Sequence, residues 1–285
     1  MSADSQITLA DGRRLAYTDI GEPDGNCVLF FHGAPMSRLH LAYLEHRFLA
    51  EGVRVVSPDR PAYGGSSPQA GRGLAHWPSD VAALADALGI DRFVVAGHSS
   101  GGPYAVASAA LLPERVSSGI IFGGVTDMGW AGAWEGYVES ECHLMRLADE
   151  DAAIAWCVER FGADGSGFLT GSDVEFAEPD NALFADEQVG PALMAAVAEA
   201  FRQGVVGYAQ DMVVQGQPWP FDPGRITVPV HVVHGELDVL LPLAHSRHTS
   251  ELIPGSSLRM LPGHGHISTI SELPTLASAL SRALS

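Results

Sequence analysis

Cysteine is scarce in this chain. Three residues in 285, Cys27, Cys142 and Cys157, have neither zinc nor redox spacing, and their odd number fits buried thiols in a reducing compartment. Long apolar runs are missing too: stretches such as Val28 to Phe31 are far too short to span a bilayer. The opening residues, MSADSQITLADGRR, lack a basic-then-apolar signal pattern, so a cytoplasmic location is expected. Basic side chains are outnumbered, 16 against 34 acidic ones, and the formal charge is −18. Such a surface repels nucleic acid and anionic lipid, so neither is expected as a partner, while the charge says little about a neutral small-molecule substrate. There is no internal repeat, low-complexity tract or charge block, and nothing specifies an oligomeric state.

What remains is a chain of 46% apolar composition, long enough for one large α/β domain carrying an insertion. QITLADGRRLAYTDIG alternates around Asp11-Gly12, which predicts a hairpin with a type I′ turn. Short β-rich runs follow, CVLFF, VRVVS, RFVVAG and SGIIFGG, separated by helix-like stretches such as SDVAALADALG, with Ser79 as N-cap and Gly89 as stop. Continuous apolar strands alternating with helices predict a mostly parallel central sheet with helices on both faces. The rhythm fails after Gly124 and resumes at ITVPVHVVHGELD. Residues 1–124 and 223–285 therefore read as one α/β core, and residues 125–222 as an inserted helical cap.

The chemistry is concentrated at VVAGHSSGGPYAVA, residues 94–107. A serine is an unfavourable choice for a tight bend, where Gly, Asn or Asp tolerate positive φ more cheaply. The G-x-S-x-G pattern nevertheless follows a strand and opens a helix, the setting of a nucleophile elbow that lifts Ser99 Oγ above the sheet. A serine needs a base, and the base needs an orienting acid. VVHGELDVLLP supplies Asp238 beyond a strand end, and LPGHGHIS supplies His266 in the loop after the next strand. At LFFHGAP the strand ends at His32-Gly33, and the backbone N–H groups of Ala34 and Ser100 are expected to form an oxyanion hole.

FFHGAP, PDRPAYGGSS, GHSSGG, HGELDVLLP and GHGHIS stand in an order that resembles the α/β-hydrolase superfamily of capped serine esterases and related hydrolases along most of the core. The resemblance implies an α/β-hydrolase fold with an inserted helical cap, and a catalytic set of Ser99, Asp238 and His266 working without metal or organic cofactor. It departs from the family at Ala62, where glycine is usual, and this touches no catalytic residue. Epoxide hydrolases and haloalkane dehalogenases carry an aspartate nucleophile, so Ser99 disfavours those chemistries.

Competing residues stay open. Asp127 stands where some family members place their acid, and His264 precedes the preferred Gly265-His266 pair. Ser100 lies one residue late for the elbow, and His98 is expected to be a packed neighbour rather than a base. His231 and His234 point to opposite faces of a strand, which spoils chelation, and His245 and His248 read as a solvated pair. Asp59 and Arg60 are expected to brace a loop. For substrate contact, Gly33, Tyr63, Trp130 and Trp134 are the candidates; Tyr137, Trp156, Phe161, Phe168 and Phe176 of the insertion are assigned to core packing. The expected activity is hydrolysis of a carboxylic ester or related acyl compound through an acyl-enzyme. Its rivals are a lactonase, C–C bond hydrolase, perhydrolase or acyltransferase with the same triad, or a non-enzymatic small-molecule receptor.

Overall fold

The computed structural model describes residues 5–147, 149–171 and 174–284. Eight described strands form one sheet: β1 (Ser5–Thr8), β2 (Arg14–Gly21), β3 (Asn26–Phe31), β4 (Val53–Pro58), β5 (Phe93–His98), β6 (Val116–Phe122), β7 (Val230–Gly235) and β8 (Ser257–Leu261). Their order is β1-β2-β4-β3-β5-β6-β7-β8, with β2 antiparallel to its neighbours and every later pair parallel. All six residues of β5 are buried, as a central strand covered on both faces requires.

Alternate side chains feed two cores. Leu29, Phe31, Val95 and Ile121 pack with α2 (Trp77–Ala87) and α3 (Gly102–Leu111). Val28, Phe30, Val94 and Ile120 pack on the other face with α1 (Glu45–Glu51) and the C-terminal helix. The chain steps outward from β3 to β4 and then back across β3 to β5. In open parallel sheets that reversal leaves a crevice at the carboxyl ends of the two strands, where ligands bind.

Between β6 and β7 lie α4 (Glu139–Leu147), α5 (Glu150–Phe161), α6 (Phe168–Gly171), α7 (Glu178–Ala185), α8 (Val189–Ala200) and α9 (Val206–Gln215). They share a third core with Met36, Tyr63, Leu241 and Ile267 from the sheet's carboxyl edge. The chain then closes with α10 (Leu243–Leu252) before β8 and α11 (Leu273–Leu284) after it. No described helix is long and apolar enough to cross a membrane.

Three local expectations are corrected. The β1–β2 connection spans Leu9 to Arg13, closed by Leu9 N–H to Arg13 O, and only Gly12 takes a positive φ, so it is not a two-residue type I′ turn. Helix α2 begins at Trp77 rather than after Ser79, because Pro78 suits a first turn and Ser79 Oγ bonds back to His76 O. His245 is fully buried, with Nδ1 accepting from Thr126 N–H and Nε2 at 2.8 Å from Ala133 O, while half-buried His248 meets Thr126 Oγ1. They are not a solvated pair.

Candidate active site

Strand β5 ends in a forced bend. Ser99 has φ +54°, left-handed backbone that a side chain adopts only under constraint, and a 3-10 turn over Ser99–Gly101 leads into α3. The bend is tight enough that a Cβ on Gly97 would lie 2.3 Å from Gly101 O, and one on Gly101 would lie 2.0 Å from Phe31 O. Only glycine fits either position. The turn thus holds Ser99 against the end of β3, where a Cβ on Gly33 would stand 3.4 Å from Ser99 Cβ. Ala34 follows beside it in the same loop, and Ser100 lies in the turn that leads into α3.

Past β7, the loop carrying Asp238 folds back on itself. Asp238 Oδ1 accepts N–H bonds from Leu240 and Leu241, both 2.9 Å, and Oδ2 accepts the Nδ1–H of His266 at 2.8 Å. Burial opposes the Asp238 charge, yet His266, these N–H groups and His234, whose Nε2 lies 3.8 Å away, hold the carboxyl at about 2. For His266 burial lowers the pKa, but the attraction and hydrogen bond of Asp238, joined by Asp180 and Glu141, outweigh it and the net shift is upward. With the Nδ1 proton committed to Asp238, Nε2 is the free lone pair of the ring.

Ser99 and His266 open onto one cavity. No described residue engages the Ser99 hydroxyl in a hydrogen bond. Gly33, Ala34 and Met36 form the wall on the β3 side. The inserted segment supplies most of the rest, including Tyr137, Phe168, Phe176, Phe184 and Val197. Of the candidates for substrate contact, Gly33 lines this cavity and the other three do not. Tyr63 is fully buried against His32 and Arg60; Trp130 stacks on His248 at 4.2 Å; Trp134 lies under the Arg146 guanidinium.

Of the competing residues, Asp127 and His264 lie off this cavity, whereas His98 lines it. Asp127 Oδ1 accepts from Gly129 and Trp219 N–H, and His264 Nδ1 lies 3.0 Å from Pro262 O. His98 is buried beneath the site, its Nε2 at 3.0 Å from His266 O. Arg60 braces the β3 loop as expected: it donates to His32 O from behind and is held by Asp211 at 2.6 Å. Asp211 is carried by α9 and also takes Arg72 at 2.8 Å and the Tyr104 hydroxyl at 2.7 Å. Asp180 on α7 accepts the backbone N–H groups of His266 and Ser268. Both carboxylates escape a reading of the sequence, although an acid among apolar neighbours, as in AQDMVV, is the signal that a buried charge leaves.

Residues 28–277 match the profile of the alpha/beta hydrolase family. The chain belongs to that family. It is 31% identical over 278 residues to a non-heme chloroperoxidase from Streptomyces lividans, covering 94% of this chain and 95% of that one. A bifunctional esterase/perhydrolase from Acinetobacter calcoaceticus is 27% identical, with 95% of each covered. Among solved structures, a thermophilic esterase from Thermogutta terrifontis superposes with TM-score 0.72 at 24% identity, spanning 99% of this chain and 98% of the other. That last likeness speaks for the fold.

Proposed function

We propose that this alpha/beta hydrolase is a serine hydrolase that cleaves a carboxylic ester or related acyl compound through an acyl-enzyme. Ser99 Oγ attacks the carbonyl carbon while His266 Nε2 takes its proton, and Asp238 holds the imidazole and offsets its charge. The N–H groups of Ala34 and Ser100 receive the developing oxyanion without reorganising. Collapse expels the alcohol, protonated by His266. Water, deprotonated by the same ring, then releases the acid and restores Ser99.

The observation that carries this reading is the 2.8 Å contact between His266 Nδ1 and Asp238 Oδ2, at a cavity that also takes in the strained Ser99. The apolar lining of the cavity favours an uncharged substrate, and the inserted helices act as a cap that selects it. The relatives named as chloroperoxidase and perhydrolase favour a second outcome from the same acyl-enzyme: attack by hydrogen peroxide in place of water, which yields a peracid and free Ser99.

Ser99→Ala tests the proposal. The variant should fold as the parent does, yet lose at least about 10³-fold in turnover of a short ester, with or without peroxide. Turnover equal to the parent would remove Ser99 from the chemistry.

A further inference from the structure

The loop that carries His266 is braced within itself by Gly265 N–H to Ser268 Oγ and by Thr269 Oγ1 to His266 O, but two of its backbone donors find their partner elsewhere. It runs from the end of β8 at Leu261 to a 3-10 turn at Ser268–Glu272, and the His266 and Ser268 N–H groups bond to no backbone carbonyl. Both are taken by one side chain 86 and 88 residues away: Asp180 Oδ2 accepts His266 N–H at 2.7 Å, and Oδ1 accepts Ser268 N–H at 2.8 Å. The carboxylate is fully buried, and among the described residues no cationic side chain pairs with it. A buried charge with no cationic partner is costly, and the two N–H groups it accepts from are what offset that cost here.

The loop is also shaped to admit it. A Cβ on Gly265 would lie 2.4 Å from Asp180 Oδ2, so only glycine lets the carboxylate reach the two N–H groups. Gly265 N–H in turn bonds Ser268 Oγ at 2.8 Å, which closes the loop around the acid. Helix α7 has a second role through Phe184, which walls the cavity onto which Ser99 opens. One helix thus touches both the space for substrate and the backbone of the base.

We propose that Asp180 is a positioning residue for catalysis: by gripping the N–H groups of His266 and Ser268 it fixes His266 between Asp238 and the cavity, so that the inserted helix α7 is part of the machinery and not only a selective cover. The proposal rests on His266 being the base. Its carboxylate also adds negative charge near the imidazolium formed during turnover, together with Asp238 and Glu141; His98, His234 and His40, the other titratable groups around the ring, are pushed toward their neutral forms by burial.

Asp180→Asn tests it, because the amide keeps the size but presents a donor where one N–H needs an acceptor. Active sites are counted by fluorophosphonate titration, so that turnover is expressed per competent site. The expected result is a kcat per site lower by roughly 10- to 100-fold, with KM changed less than about threefold. The acid limb of kcat/KM should move to lower pH, because a negative charge that favours imidazolium is gone. Amide exchange at His266 and Ser268 should quicken by at least about tenfold. A merely structural role would lower the melting temperature or the number of competent sites and leave kcat per site and the acid limb where they were; that result overturns the proposal. Should Asp180→Asn not fold, the parent protein decides: His266 and Ser268 amides exchanging as slowly as those within α7 support the grip, and exchange at the rate of exposed loop amides overturns it. His266→Ala, run alongside, separates the two levels. If it retains parental turnover, the assignment of the base has failed, whereas the exchange data still judge the Asp180 contact itself.

Discussion

Ser99 and Ala62 are the two described residues other than glycine whose backbone is left-handed, at φ +54° and +66°. At Ser99 the strain accompanies a position on the wall of a cavity. At Ala62 it explains why the family's pattern has glycine there, a methyl group in this conformation costing about 1 kcal/mol. The sequence shows the motif and the departure from it; the strain itself appears only once β5 and β3 are packed together. At the same scale a single contact favours Asp238 as the acid of the proposed mechanism, since His266 meets Asp238 whereas Asp127 accepts from Gly129 and Trp219. Asp238→Asn and His266→Ala should each lower turnover by about 10³-fold or more, while Asp127→Asn and His264→Ala should keep most of it. Steady-state rates of the four variants check this, and a severe loss in Asp127→Asn alone would move the acid to the end of β6. The pH profile follows from the direction of the His266 shift. Its pKa is raised above 6.5, the base must be neutral to accept the serine proton, and so the acid limb of kcat/KM should have its midpoint above 6.5. A midpoint well below that value would contradict the arrangement.

Among elements, the sheet was the most legible, because strands buried on both faces must be continuously apolar, as FVVAGH is. The insertion was legible as helical, but not in which residues face the cavity. Trp130 and Trp134 are spent on His248 and Arg146, whereas Phe168, Phe176 and Phe184 reach inward. Helical spacing marks an apolar face without saying which of two bodies it meets. Phe168→Ala or Phe184→Ala should therefore reorder a panel of acyl esters, by roughly 1–3 kcal/mol between best and worst affected, through lost apolar contact. Trp130→Ala should leave the ranking unchanged. Asp211 is the other link that sequence patterning could not reveal, since its partners Arg60, Arg72 and Tyr104 lie more than a hundred residues away. Asp211→Asn would strand two buried guanidinium groups and should destabilise the fold by about 3–5 kcal/mol, read by denaturant melts at neutral pH. Alongside Asp211, Arg38 joins Glu199 of α8 at 2.5 Å and Gln203 donates to Gly64 O at 2.8 Å. The insertion is tied down at several points.

At the scale of the whole molecule, the charge of −18 and the buried carboxylates act in opposite senses as pH falls. Protonation relieves surface repulsion, but Asp211, held at about 2 by Arg60 and Arg72 against the opposing effect of burial, must eventually lose its charge in place. Its folded value lies below the ordinary 3.8, so its contribution to stability is complete above about pH 4 and is lost as pH falls toward 2. Melting temperatures should drop steeply over that interval, and less steeply in any folded Asp211→Asn variant. The family was legible from the order of five short motifs. The two acids that join the insertion to the loops around Ser99 were not, because a buried carboxylate is recognised by its partners and not by its neighbours in sequence. The central claim, that Ser99 forms a covalent intermediate when His266 and Asp238 are in place, is tested most directly by exposing the protein to a fluorophosphonate and mapping the adduct by peptide mass spectrometry. The prediction is one adduct, on Ser99, absent in Ser99→Ala and formed far more slowly in His266→Ala. An unlabelled protein, or an adduct on Ser100 or on a serine outside the cavity, would contradict it.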